Sequence, residues 1–372
     1  MFIDRPPKER PHPSAGLLPQ MGMMIRALLN SSVRNQLFLL GGAVFIVIAA
    51  TAYGQIRLNR WNQPFYDALA HRDFRQFLVQ LGVFGVITMS LLVLNVGQRW
   101  LSEMLKLKLR EGLVLDLIGE WLKPGRAAKL AKEGAIGVNP DQRMHEDARH
   151  LTELSGDLGV QLLQSSILLV TFVEVLWVLS RGFTFHYHGH TFDIPGYMVW
   201  AAVLYAGTGS LLSYWVGGSL IPKNAERYQR ESKLRYSLMQ VNQHLPVIAT
   251  QSGEDESRLR LTNDLDSVLV AMGKLVTGLT NLTWVTAGYG WLTLVAPILA
   301  AAPAYFADDL SFGGMMMAAG AFNQVQSSLR WFVDNFSTIA DWRATLLRVA
   351  SFRRALIIEP AIDMRQQLAP TP

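Results

Sequence analysis

The sequence predicts an all-α membrane protein: six long transmembrane helices with two helical hairpins on the cytoplasmic side. Three observations carry that prediction. Half of the 372 residues are hydrophobic and only 17% are charged, where soluble domains carry about a quarter. Residues 35–56, 77–97, 194–222, 275–307 and 310–329 contain no Asp, Glu, Lys or Arg, and residues 158–180 contain one, Glu174. Lys and Arg alternate between rich and poor connections along the chain.

Each of the six stretches exceeds the roughly 18 apolar residues that cross a bilayer core as a helix. A helix satisfies its own backbone groups within one segment, which lipid demands. Before the first span, residues 1–34 carry Arg5, Lys8, Arg10, Arg26 and Arg34. The first connection holds Arg57, Arg60, Arg72 and Arg75; the third holds Arg181 alone; the fifth holds none. The second and fourth are the long basic ones, so the positive-inside pattern puts both termini in the cytoplasm. The net charge of +5 is thereby spent on topology and does not point to nucleic acid. No cleavable signal peptide is visible, and the Pro-rich start reads as a tail.

The inner connections, residues 98–157 and 223–264, are several times longer than the outer ones and helical in pattern. KLKLREGLVLDLIGEWL is amphipathic, and so is the stretch from Ser232 to Asp266, interrupted at Pro246 and Gly253. Helices leaving the membrane without a breaker continue into water. Asn139 and Pro140 suit a helix start. Met144, Ala148, Leu151 and Ser155 then share one face, which makes this polar segment the extension of the third span.

Two histidine groups raise metal binding. His145 and His150 are five apart, about 140° round a helix, and do not share a face. His186, His188 and His190 alternate, so a single strand would point them one way; an exposed loop is the plainer reading. No metal site is expected, and the absence of cysteine excludes thiolate ligands and disulfides. No catalytic residues are expected. The Gly273–Lys274 pair has Val268 where a phosphate-binding loop needs its first glycine and Leu275 where it needs Ser or Thr,. The chain is therefore read as no enzyme, with no cofactor of its own.

Charges within a membrane are costly and face a cavity or a partner. Glu174 has two readings: a proton- or substrate-coupling group, or a residue reaching outer water. Lys274 reads as snorkelling at the inner edge. In the sixth span Asn323, Gln326, Ser327, Arg330 and Asp334 fall on one side, and Phe322, Val325, Leu329, Phe332 and Phe336 on the other. Either the polar side walls a translocation cavity or it glues helices together. Trp61, Phe65 and Tyr66 in NRWNQPFYDAL read as an interfacial anchor, and Trp100 and Trp121 as inner counterparts.

NRWNQPFYDAL, NPDQR at 139–143 followed by LTELS, IPGYMVW at 194–200, RYSL at 235–238 and FVDNFSTIADWRAT at 332–345 together resemble the SbmA/BacA-like transporters. The resemblance is nearest to the membrane domain of YddA-like ABC half transporters, which have the type IV ABC exporter fold. It covers residues 59–356 and leaves 35–357 as the transmembrane domain and 358–372 as a tail or linker. It implies a homodimer in a bacterial inner membrane that moves peptides or other bulky amphipathic solutes. The inner hairpins would dock on an ABC ATPase, the only route by which ATP and Mg²⁺ enter. Glu231, Arg235, Gly253 and Glu254 match the family's coupling hairpin; Lys233 stands where the family has an acid. Two further readings stay open, a proton-coupled importer working without ATP and a non-transporting remnant or regulatory subunit.

Overall fold

A computed structural model describes residues 17–130, 139–181, 184–187, 190–250 and 253–357. Helices α1 (Leu17–Leu29), α2 (Arg34–Ala70), α3 (Phe74–Trp121) and the short α4 (Arg126–Leu130) come first. A three-residue α5 (Pro140–Gln142) and a π-helical turn (Arg143–Asp147) lead into α6 (Ala148–Leu179). Strands β1 (Thr184–Tyr187) and β2 (His190–Asp193) make a small hairpin. Then come α7 (Tyr197–Gly217), α8 (Leu220–Gln243), α9 (Leu245–Thr250), α10 (Glu254–Phe306), α11 (Phe312–Asp334) and α12 (Phe336–Ile357).

The lengths follow from the sequence pattern. At about 1.5 Å per residue, helices of 48 and 53 residues, α3 and α10, far exceed a hydrocarbon core of about 30 Å, so both extend beyond it. Among the described residues, five helical stretches are long and apolar enough to cross a membrane: α2, α3, α5 through α6, α7 through α8, and α10. The sixth expected span, residues 310–329, falls in α11. That helix is long enough at 23 residues, but its amides and small residues lower its hydropathy.

The chain forms two units. The first comprises Met1–Leu58, Gly82–Leu168 and Trp331–Pro372; the second comprises Asn59–Leu81 and Leu169–Arg330.

In the first unit α1, α3, α6 and α12 close on a core that includes Met24, Leu113, Leu117, Leu151, Val349 and Phe352. On α3 the buried residues Gly112, Leu113 and Leu117 recur at helical spacing. Gly112 lets the 28–33 turn approach, since a Cβ there would press on Val33. Charged groups ring this core. Arg353 binds Asp116 through two nitrogens at 2.6 and 3.1 Å. Lys106, largely buried, donates to Glu103 and Asp157 at 2.9 and 3.0 Å. Burial opposes its charge, but those two carboxylates outweigh burial and raise its pKa.

The expected face of Met144, Ala148, Leu151 and Ser155 does turn inward: Ala148 and Leu151 are buried, Met144 packs on the core, and Ser155 accepts a hydrogen bond from Trp342. The helix start differs from expectation. Asn139 has φ 60 and makes no side-chain cap, and the segment widens into the π turn.

In the second unit α7 and α10 are joined by hydroxyls. Tyr205 Oη donates to the Tyr289 carbonyl at 2.7 Å and meets Thr293 at 2.9 Å. Tyr289 Oη donates to Thr208 at 2.6 Å. Gly196 opens α7 with φ 68, and a Cβ there would enter the Trp177 ring, so glycine is required twice over. Below them α8 and α10 pair as a hairpin, with His244 as the break and Pro246 at the start of α9. Lys274 does not simply snorkel: it binds Glu226 at 3.2 Å.

The β hairpin corrects the histidine expectation. His186 pairs with Thr191 and His190 with Tyr187, so the two lie on antiparallel strands and not along one. His188 and the side chains of this hairpin lie outside the described residues.

Candidate translocation surface and coupling hairpin

The motif NRWNQPFYDAL decides where α11 sits. Asp67, near the end of α2, accepts from Ser311 Oγ at 2.9 Å and from the Gly313 backbone N–H at 2.8 Å. A carboxylate at those exposed N–H groups caps the start of α11. Gly313 and Gly320 then let α2 lie against α11: a Cβ at Gly313 would collide with the Gln63 carbonyl oxygen, and one at Gly320 with Asn59. The aromatic residues serve the same joint. Trp61 donates to the Gln80 carbonyl at 2.8 Å and stacks on Phe65 at 4.4 Å, while Tyr66 meets Phe312 edge-on at 6.0 Å. Trp61, Phe65 and Tyr66 are thus partly buried in protein contacts and not simply anchored in headgroups. Trp100 is exposed, and Trp121 packs against the first unit's core.

This docking sets the faces of α11. Gly313, Met317, Ala321, Phe322 and Val325 are buried. Asn323, Ser327 and Asp334 are exposed and Arg330 is partly so. These four follow a stripe at i, i+4, i+7 and i+11, one side of a helix. Gln326 departs from expectation: it is 6% exposed and lies on the protein side of the stripe. A helical wheel assigns it to the polar half, but the close approach allowed by Gly320 widens the buried half. Of the residues opposite the polar side, Phe322 and Val325 are buried, while Phe332 and Phe336 are exposed and contact each other at 6.4 Å.

Glu174 is exposed on α6, with Val170 and Val178, four residues away on either side, also exposed. It is a lone carboxylate on an otherwise apolar helix face.

On the hairpin, Glu231, Arg235 and Glu254 are exposed, and Gly253 precedes α10 at its N-cap position. Lys233 has its own task. It binds Asp264 at 2.7 Å, and Ser237 donates to the same carboxylate at 2.7 Å. The hydrogen bonds from Lys233, then from Ser237, hold the Asp264 carboxyl below its usual range. The basic residue that replaces the family's acid therefore closes the hairpin internally, leaving Glu231 and Arg235 outward.

Three features escaped sequence reading: the Asp67 cap, the hydroxyl cluster between α7 and α10, and Asp147. The last is buried and held by Arg143 at 2.5 Å and by Arg348 at 3.0 and 3.1 Å. Burial pushes its pKa up, but the two guanidinium groups more than offset that, and it lies below its ordinary value. Each depends on a partner far along the chain, which local spacing cannot reveal.

Residues 24–306 match the family model described as ABC transporter transmembrane region 2. The chain belongs to this family. It is 26% identical over 317 residues to the inner membrane ABC transporter ATP-binding protein YddA of Escherichia coli (strain K12), covering 84% of this chain and 56% of that protein. It is 26% identical over 322 residues to the chloroplastic ABC transporter D family member 2 of Arabidopsis thaliana, covering 87% of this chain and 43% of that one. An ABC transporter ATP-binding protein of Synechocystis, sll0182, is 26% identical over 291 residues, covering 42% of its length. The chain thus spans about half the length of the curated relatives it matches. It is a multi-pass membrane domain of the ABC half-transporter type, like that of YddA.

Proposed function

We propose that this domain works as a homodimer in a bacterial inner membrane, with both termini cytoplasmic, and moves peptides or other bulky amphipathic solutes by alternating access. The polar stripe of α11 carries the reading. Asn323, Ser327, Arg330 and Asp334 sit on a helix held among apolar spans, and an exposed amide or hydroxyl there suits a wet path better than lipid. A second copy supplies the opposite wall. The α8–α10 hairpin supports the dimer, because it leaves Tyr236, Met239, Leu259 and Leu269 exposed, more apolar surface than a hairpin in water keeps uncovered. Glu231, Arg235, Gly253 and Glu254 are the contact to an ABC ATPase, which brings ATP and Mg²⁺; the membrane domain itself does no bond chemistry.

The exposed Glu174 favours a second reading, proton-coupled uptake of the kind associated with SbmA/BacA-type importers. Sealed vesicles containing the full protein, loaded with ATP or given a pH gradient, separate the two with a fluorescent cationic peptide as probe. ATP-driven movement that Ser327→Trp abolishes is the expected result. Movement driven by the pH gradient alone and lost in Glu174→Gln would replace the ATP-coupled reading with the proton-coupled one. Peptide movement no greater than in vesicles lacking the protein would leave only a remnant or regulatory subunit.

A further inference from the structure

The π turn at Arg143–Asp147 lies between the three-residue α5 and the long α6 of the first unit. In it the Ala148 N–H is shared between the Arg143 carbonyl, five residues back, and the His145 carbonyl, three back, where an α-helix would use Met144. A π turn packs its backbone less well than an α turn and persists where something holds it. Its inner side is held. Asp147, the last residue, is buried and takes Arg348 of α12 through two nitrogens and Arg143 through one, while Arg348 also donates to Thr345 at 2.9 Å. Its outer side carries only a long contact, Gln142 Nε2 to Glu146 Oε2 at 3.4 Å, among the side-chain bonds of the described residues. Asp141 and His145 open onto a shallow groove of about 690 Å³ along α3, beside Glu111, Leu115 and Ile118. Upstream, Asn139 stands in the left-handed region directly before Pro140, a backbone that proline disfavours.

We propose that the π turn is a register switch, with Asp147–Arg348 as its catch. While Arg348 grips the carboxylate, the turn keeps its extra residue. When the grip is released, the Ala148 N–H passes to the Met144 carbonyl and the turn closes to α geometry. Residues 139–142 then rotate by about 100°, one residue's worth, relative to α6. The side chain facing Glu111 across the groove changes from Asp141 to Gln142. Arg143 and Arg348 both bind Asp147, so loss of one leaves the carboxylate paired with the other and not bare. Movement of α12 is thereby converted into rotation of the first inner hairpin. That use in a transport cycle rests on the function proposed above; the register change itself does not.

The test reads register alone. The chain has no cysteine, so Glu111→Cys can be combined with either Asp141→Cys or Gln142→Cys in this chain and treated with a short bifunctional maleimide. With Asp147 intact, the Asp141 pair cross-links in preference. Adding Asp147→Asn should move the preference to the Gln142 pair by at least about tenfold, the scale of one charged hydrogen-bonded contact. Arg348→Lys, which keeps the charge but loses the two-nitrogen grip, should give an intermediate ratio and serves if Asp147→Asn fails to fold. An unchanged preference for Asp141 in both variants overturns the switch. So does loss of both cross-links together, which marks a segment that merely loosens.

Discussion

Two helices of similar apparent role differ sharply. In residues 77–97 of α3, Leu91 is the only buried residue, although this is among the most apolar stretches of the chain. In α11 ten residues are buried, although its amides and glycines keep it below the hydropathy of the five other membrane-length stretches. Hydropathy therefore marks contact with lipid, where apolar surface is left outward. Small residues mark contact with protein, where backbones must meet closely. The helix that hydropathy undervalues is the one most enclosed by its neighbours, and it carries the polar stripe.

Substitutions can break that contrast. The largest effect is expected at Phe322, 2% exposed on α11: Phe322→Ala should cost about 3–5 kcal/mol, seen as a lower thermal transition in detergent. Truncation of a side chain facing outward on α3, Val86→Ala, 70% exposed, should stay within about 0.5 kcal/mol. Gly313→Ala should cost about 1–3 kcal/mol by forcing α2 away from α11, whereas Gly85→Ala on α3, where a Cβ meets nothing within 4 Å, should be neutral or slightly stabilising. Tyr205→Phe removes one interhelical donor between α7 and α10 and should cost about 0.6–1.7 kcal/mol; a larger loss would mean that the hydroxyls, not the small residues, hold the second unit.

The smallest effect concerns pH. Asp147 has its carboxyl held below the ordinary value, so the unfolded chain binds that proton more tightly than the folded one. Its contribution is complete above the unfolded pKa of about 3.9 and disappears as pH falls through the lower folded value. Thermal stability of the protein should therefore owe no change to Asp147 between about pH 5 and 8. Asp147→Asn should lower the plateau without shifting its shape in that window.

Much of this was legible in the sequence. The absence of charge picked out the five stretches that are long and apolar enough to cross a membrane, and placed the sixth expected span, residues 310–329, on a helix, α11. The i, i+4, i+7 spacing placed Asn323, Ser327, Arg330 and Asp334 on one stripe. What was not legible has a common cause. Spacing gives the direction of a face but not its width, so Gln326 was placed with the exposed polar residues. The face of Met144, Ala148 and Leu151 reads the same in sequence whether or not Met144 sits in a π turn. Asp67 caps a helix that starts more than two hundred residues later, and Asp147 waits for Arg348 across a similar gap; neither partner can be guessed from local pattern. Lys233 looked like a lost docking charge because its partner, Asp264, stands on the other arm of the hairpin.

The central claim is that α11 lies among the spans with one side wet and the other sealed. Single cysteines at Asn323, Ser327, Ala319 and Phe322, placed one at a time in the otherwise cysteine-free protein in sealed vesicles of both orientations, test it with a membrane-impermeant maleimide. Rapid labelling of Asn323→Cys and Ser327→Cys, with Ala319→Cys and Phe322→Cys protected, is the predicted result. Equal labelling of all four, or protection of all four in both orientations, would contradict it.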